Sequence, residues 1–186
     1  MTSRIKLLIS AISLIATGTT AYVAYLRTNV NAQVNEANAA IAAAMEAAAP
    51  ALAKAREVDA LLNERAFNSE RAKLTTAARE TARLYGETAM SFRSAVVKVT
   101  AAIQAADTNA GRTYFGTRLE SLKKRVEMAE AAQEGYAVAA DESITDLATL
   151  RARMEPHAVR AETARGEAKR LAAEAEAFRE QHRGEF

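Results

Sequence analysis

The segment that most restricts the fold is Leu7 to Leu26, a run of 20 uncharged and mostly apolar residues. A helix of this length extends about 30 Å, the thickness of the hydrocarbon core of a bilayer. The run is preceded by two basic residues, Arg4 and Lys6. We therefore predict a transmembrane anchor at 7–26 that follows a short cytoplasmic N-terminus at 1–6.

The alternative interpretation of this run is a cleavable signal peptide, because a basic start, an apolar stretch to Ala16 and a more polar exit at 17–21 are typical of one. The run lacks an Ala-x-Ala cleavage signal, and Tyr22 and Tyr25 suit the interface of a membrane. The sequence therefore favours an uncleaved anchor. An exported soluble protein, formed by cleavage after about residue 21, is the alternative.

Orientation follows from the basic residues that flank the run. Arg4 and Lys6 lie before it, whereas Arg27 is the one basic residue after it until Lys54. The positive-inside rule then places the N-terminus in the cytoplasm and the bulk of the chain in the periplasm, at the inner membrane of a bacterium. Acidic and basic residues are equal in number beyond the run, so we expect the lipid bilayer, and no nucleic acid, as a partner.

The rest of the chain has the composition of an all-α protein. It is rich in Ala, Glu, Arg and Leu, and the whole chain has no Cys, 2 Pro and 7 Gly. We predict an elongated antiparallel helical bundle or coiled coil beyond the anchor. Its expected parts are an alanine-rich helix at 27–66, a helical hairpin at 67–154 with its turn at 107–112, and a C-terminal helix and tail at 155–186.

The turn and proline signals predict the helix boundaries. Pro50 predicts a kink or a short break in the alanine-rich helix, because its nitrogen cannot donate a hydrogen bond. Either Asn68 or Ser69 is expected to cap a new helix. The second helix of the hairpin is expected to begin near Thr113 and to end by Pro156.

A seam of small and polar residues runs from the predicted anchor into the first helix, with spacings that alternate between three and four. Small and hydroxylated residues permit close contact between helices in a membrane, and Asn at equivalent heptad positions can set the register of a coiled coil. The seam predicts self-association into a homo-oligomer, or contact with other envelope proteins. The members of the seam that we expect to make these contacts are Ser13, Thr17, Thr20, Ala24, Asn31 and Asn38.

A second set of apolar residues predicts the core of the hairpin. The same alternation of threes and fours recurs on both sides of the predicted turn. Antiparallel pairing about that turn places Ile103 near Phe115, Val99 near Leu119, Val96 near Leu122, and Phe92 near Val126.

The sequence shows no pattern typical of an enzyme, so we expect no catalytic residue, no cofactor and no metal site. It has no Glu-x-x-His pair of the kind that holds a di-iron centre, and no glycine-rich phosphate loop. Glu127, Glu130 and Glu134 are interpreted as a solvated helix face, with a site for a cation or cationic ligand as the alternative. The basic segment Lys123–Lys124–Arg125 with Arg118 is interpreted in the same way, with contact to phosphate or anionic lipid as its alternative.

These features predict a non-enzymatic, membrane-anchored scaffold or adaptor in a bacterial envelope assembly. The segments 3–8 and 46–52 resemble the front end of chemoreceptors with four-helix-bundle sensors, which implies a ligand-binding domain as an alternative. The sequence has no second span, so such a sensor is expected to signal through a separate partner. The outline of one span and a helical body also resembles phage inner-membrane spanins, which implies a role in lysis.

Overall fold

The computed structural model describes residues 32–106 and 108–184, and all regular elements within these ranges are helices. The predicted all-α class is therefore confirmed. The predicted anchor at 7–26 lies outside the described residues. Within the described ranges, no helix is both long enough and apolar enough to cross a bilayer. The helices are α1 (Ala32–Leu61), α2 (Glu64–Ser69), α3 (Arg71–Ala105), α4 (Asn109–Ala139) and α5 (Leu147–Gln181).

The four long helices pack in sequence order, each antiparallel to the one before it. Helix α1 packs on α3, α3 on α4, and α4 on α5, whereas α1 and α5 approach each other less closely. The direction of α1 and α3 follows from Lys98, near the end of α3, whose Nζ lies 2.9 Å from Glu36 Oε2 near the start of α1. Helix α5 reverses α4 in the same way, since Ser121 Oγ donates a hydrogen bond of 2.8 Å to the Ala168 carbonyl.

Small alanine side chains allow α1 to pack close to α3. Small side chains let two helix backbones come together, although each buries little apolar area. Across this interface, Thr88 Oγ1 donates to the Leu84 carbonyl of its own helix and lies 3.3 Å from the Ala47 carbonyl oxygen of α1. The buried alanines of α1 are Ala37, Ala44, Ala48, Ala51 and Ala55.

The two connections at one end of the bundle are joined by arginine side chains. Arg71 Nη2 donates to the carbonyl of Asp141 at 2.6 Å and to that of Ile144 at 3.3 Å. Arg151, in α5, binds the other connection, because its Nη2 donates to the Leu62 carbonyl at 2.8 Å. Charged guanidinium donors therefore satisfy loop carbonyls that no helix can satisfy. The start of α1, the α3–α4 connection and the end of α5 lie at the other end.

The structure has neither the short break predicted at Pro50 nor the helix end predicted at Pro156. Helix α1 is continuous through Pro50, and α5 is continuous through Pro156. A proline inside a helix removes one backbone hydrogen bond. Buried residues lie on both sides of each proline, such as Met154 and Ala158 around Pro156, so packing of both halves on the bundle offsets that loss.

The helix boundaries also differ from those predicted. The cap after α1 is Asn63, whose Oδ1 accepts from Ala66 N at 3.0 Å, and not Asn68 or Ser69. Helix α4 begins at Asn109, before Thr113, because Thr108 Oγ1 accepts from Gly111 N and caps it there.

The predicted second helix of the hairpin is in fact divided between α4 and α5. Helix α4 ends at Ala139, and Asp146 starts α5 by accepting from Thr149 N at 2.7 Å. Between them, Asp141 Oδ1 accepts from both the nitrogen and the hydroxyl of Ser143. Aspartate side chains thus form this connection, without the Gly or Pro that marks most turns.

Candidate functional site

The predicted association seam falls mostly outside the described residues. This applies to Ser13, Thr17, Thr20, Ala24 and Asn31. Asn38 is described, and it is 9% exposed on the buried face of α1. Its side chain is therefore covered by its own bundle, which leaves little of it for contact with a second copy.

The predicted hairpin core lies in the half of the bundle that contains the start of α1. Phe92, Val99, Phe115 and Leu122 are buried there. The other four predicted residues pack against the same cluster and are partly buried: Val96, Ile103, Leu119 and Val126. Helices α1 and α5 add residues to this core that the hairpin interpretation did not include, such as Ile41 and Ala175.

A pair of stacked tyrosines occupies the other half of the core. The rings of Tyr85 in α3 and Tyr136 in α4 are almost parallel, at 3°, with their centroids 5.5 Å apart. Tyr85 is fully buried, and its hydroxyl has no hydrogen-bond partner in the part of the chain that the structure describes. Burial raises the pKa of both phenols, with Tyr136 adding to the effect at Tyr85 and Asp59 adding to that at Tyr136.

The acidic residues singled out on α4 form ordinary surface ion pairs. Glu134 Oε2 lies 2.9 Å from Arg160 Nη2, and the hydrogen bond from Arg160 is the main cause that lowers the pKa of Glu134. Glu130 pairs with Arg93 of α3, and Glu127 with Lys124. Among residues 32–106 and 108–184, no cluster of three or more potential metal ligands occurs.

The basic residues of α4 separate into two groups, which corrects the interpretation of all four as one solvated face. Lys123 and Lys124 pair with glutamates at the surface. Arg118 and Arg125, seven residues apart, lie on the inner face of α4. The same heptad position holds Gly111, Ala132 and Ala139, which are all buried.

The two inner arginines differ in how their charge is balanced. Arg118 Nη1 lies 3.5 Å from Glu176 Oε1 of α5, and the Arg118 side chain is only 14% exposed. The Cζ atom of Arg125 lies 6.0 Å from the centre of the Phe92 ring. No carboxylate lies within ion-pairing distance of Arg125 among the residues described. Burial, and then the nearby charge of Arg118, lower the pKa of Arg125 to about 10, so it is still a cation at neutral pH.

Sequence reasoning missed both the tyrosine pair and the inner arginines as distinct features. The available signal was the heptad position that Arg118 and Arg125 share with small buried residues.

Comparisons with known proteins add no family, because no family model, curated protein or solved structure matches this chain.

Proposed function

We propose that this protein is a non-enzymatic, membrane-anchored helical bundle that serves as a scaffold or adaptor in a bacterial envelope assembly. One observation carries the proposal: the bundle follows closely on the apolar run that ends at Leu26, since the chain is already part of α1 at Ala32. A span over 7–26 would therefore hold the bundle close to the bilayer surface.

The orientation of the bundle follows from the same proposal. The end that contains the start of α1 would face the membrane, together with the end of α5. The opposite end, where Arg71 and Arg151 bridge the two connections, would face away from it. Helices α3 and α5 each have 35 residues, so this end would stand about 50 Å from the membrane-facing end.

Crosslinking and mass spectrometry of the full-length protein in its native membrane test the proposal. We expect peptides that retain Met1 or Thr2, together with reproducible links to itself near Asn31 or to a fixed set of envelope proteins. A mature N-terminus near Tyr22 without any reproducible partner would contradict it. Links to lysis proteins would select the spanin-like role.

A matched pair of variants tests the anchor itself. Leu14→Arg puts a charge in the middle of the proposed span, at a cost of roughly 3 kcal/mol for insertion. The control is Val97→Arg, which adds the same charge at a residue of α3 that is 67% exposed. We expect carbonate extraction to release the Leu14→Arg protein only. Equal retention of both variants in the membrane would argue against a span at 7–26.

A ligand-sensing bundle is the second candidate function, and the inner arginines favour it. A partly buried guanidinium group without a carboxylate partner, such as that of Arg125, is a costly arrangement for a protein whose bundle only supports other components. Ligand sites in helical bundles are built in this way, from side chains that project inward from facing helices.

A further inference from the structure

We propose that the inner face of α4 binds a small oxyanion, a carboxylate or a phosphate, between Arg118 and Arg125. The site lies within the bundle and does not depend on the membrane anchor. If the protein is a ligand-sensing bundle, such a site would identify small oxyanions as the class of its ligand.

The first argument is the unbalanced charge of Arg125. Glu176 is the carboxylate that pairs with Arg118, and it is already shared, since Arg118 Nη1 lies 3.5 Å from Oε1 and Arg179 Nη2 lies 2.6 Å from Oε2. The Tyr114 hydroxyl also donates to Glu176 Oε1, at 3.3 Å. Glu176 therefore compensates Arg118 and Arg179, and the charge of Arg125 remains uncompensated within the described chain.

The second argument is the setting of Arg125. Its guanidinium lies near the ring of Phe92, a residue with no exposed surface. Water that would hydrate an exposed arginine is partly excluded there, and this desolvation is the main cause of its lowered pKa. A cation that has lost water without gaining a counterion attracts an anion more strongly than a surface arginine does.

The third argument is access and fit. Both arginines keep part of their surface exposed, and they lie beside two different helices, since Phe92 belongs to α3 and Glu176 to α5. Planar guanidinium groups donate two parallel hydrogen bonds to carboxylate or phosphate oxygens. A small oxyanion that reaches this face of α4 would thus find two such donors about two helical turns apart.

The first test is thermal unfolding of the full chain in detergent, with sodium phosphate or sodium succinate added against sodium chloride of equal ionic strength. We expect the melting temperature to rise by roughly 5 °C once the bound anion is in large excess over its Kd. A rise with phosphate alone or with succinate alone identifies which oxyanion the site prefers. Equal melting temperatures in all three salts would overturn the proposal.

Two variants separate the site from general salt effects. Arg125→Met keeps the length of the side chain and removes the charge, so we expect a higher melting temperature without anion and loss of the response to phosphate or succinate. Arg170→Met is the control, because Arg170 is exposed and paired with Glu174. We expect the melting temperature of Arg170→Met to rise with phosphate or succinate as much as that of the wild type. A response that persists in Arg125→Met would show that the anion binds elsewhere and would refute the proposed site.

A position-specific measurement does not depend on stability. The Nε–Hε resonances of arginine are followed by NMR while phosphate or succinate is added. We expect the Arg125 and Arg118 signals to shift and saturate at one concentration, while Arg170 stays unchanged. Shifts that are equal at all three arginines would contradict a specific site.

Discussion

The ring of Tyr85 stacks on the ring of Tyr136, and this contact joins α3 to α4 in the half of the core that does not contain Phe92. The stacked rings bury a large apolar area, but the Tyr85 hydroxyl at the edge of the stack has no partner among the described residues. A buried polar group without a hydrogen bond destabilises the folded state. The same residue therefore contributes to stability through its ring and opposes it through its hydroxyl.

Tyr85→Phe should stabilise the protein at neutral pH. The substitution keeps the stacked ring and removes the unsatisfied hydroxyl, so we expect the free energy of unfolding in urea to rise by about 1 kcal/mol. The control is Tyr114→Phe, which removes a hydroxyl that donates to Glu176 and should lower the free energy by a similar amount. A loss of stability in Tyr85→Phe would mean that this hydroxyl is satisfied in solution.

Stability should fall steeply above pH 10. In the unfolded chain both tyrosines ionise near their usual pKa of 10.0, whereas burial raises their pKa in the folded state. Below pH 10 these phenols are neutral in both the folded and the unfolded state, so they do not change the free energy of unfolding. Above pH 10 the unfolded state releases protons that the folded state retains, so the free energy of unfolding decreases by up to about 1.4 kcal/mol per pH unit for each tyrosine.

The contribution of Tyr85 to this pH dependence can be measured by difference. We expect urea denaturation of Tyr85→Phe between pH 9 and pH 11 to show a shallower decrease than the wild type. Tyr114→Phe provides the comparison for removal of a different phenol. Parallel curves for Tyr85→Phe and the wild type would show that the Tyr85 pKa is not raised by burial.

Phe92→Ala should remove a large part of the stability of the bundle. Phe92 has no exposed surface and packs in the same cluster as Val99 and Phe115, so truncation leaves a cavity that neighbouring helices cannot fill. We expect a loss of about 3 to 5 kcal/mol in urea denaturation. Met90→Ala lies half a turn away and is the control, because Met90 is 58% exposed and its truncation should change stability by less than about 0.5 kcal/mol.

Arg71→Met should loosen the connection between α4 and α5. It removes the donor to the carbonyls of Asp141 and Ile144, and we expect a cost of about 1 to 3 kcal/mol. Hydrogen exchange should accelerate in residues 140–146. Lys73→Met serves as the control, because Lys73 is 71% exposed and pairs only with nearby Glu70. Similar exchange in both variants would show that Arg71 does not hold this connection.

The long helices were predictable from the sequence because their apolar spacing is regular, as in the run from Leu74 through Tyr85 and Phe92. The ends of these helices were less predictable. The α4–α5 connection depends on hydrogen bonds from Asp141 and Asp146, and the same residue type is common on exposed helix faces. Pro156 looked like a helix stop because the stabilising contacts of Met154 and Ala158 come from other helices.

The candidate site was harder to predict than the fold. Arg118 and Arg125 follow the heptad spacing of the core, but an arginine on an otherwise apolar face is usually explained by its long side chain reaching solvent. The burial of these arginines depends on how α3 and α5 pack against α4, because Phe92 of α3 lies near Arg125 and Glu176 of α5 lies near Arg118. That Arg125 lacks an ion pair could not be predicted, because it depends on the packing of α5. In the structure, Glu176 of α5 pairs with Arg118 and Arg179, and not with Arg125.

The arrangement of connections also determines how the bundle would respond to mechanical load. Helix α1 starts and α5 finishes at the same end, so a force applied between these two ends would act across the bundle and not along its helices. Such a load separates contacts one after another, as in unzipping, and it starts at the end of the bundle where α1 starts and α5 finishes. The loops fastened by Arg71 and Arg151 lie at the far end and would yield last, so the bundle could open partway and close again around a preserved nucleus.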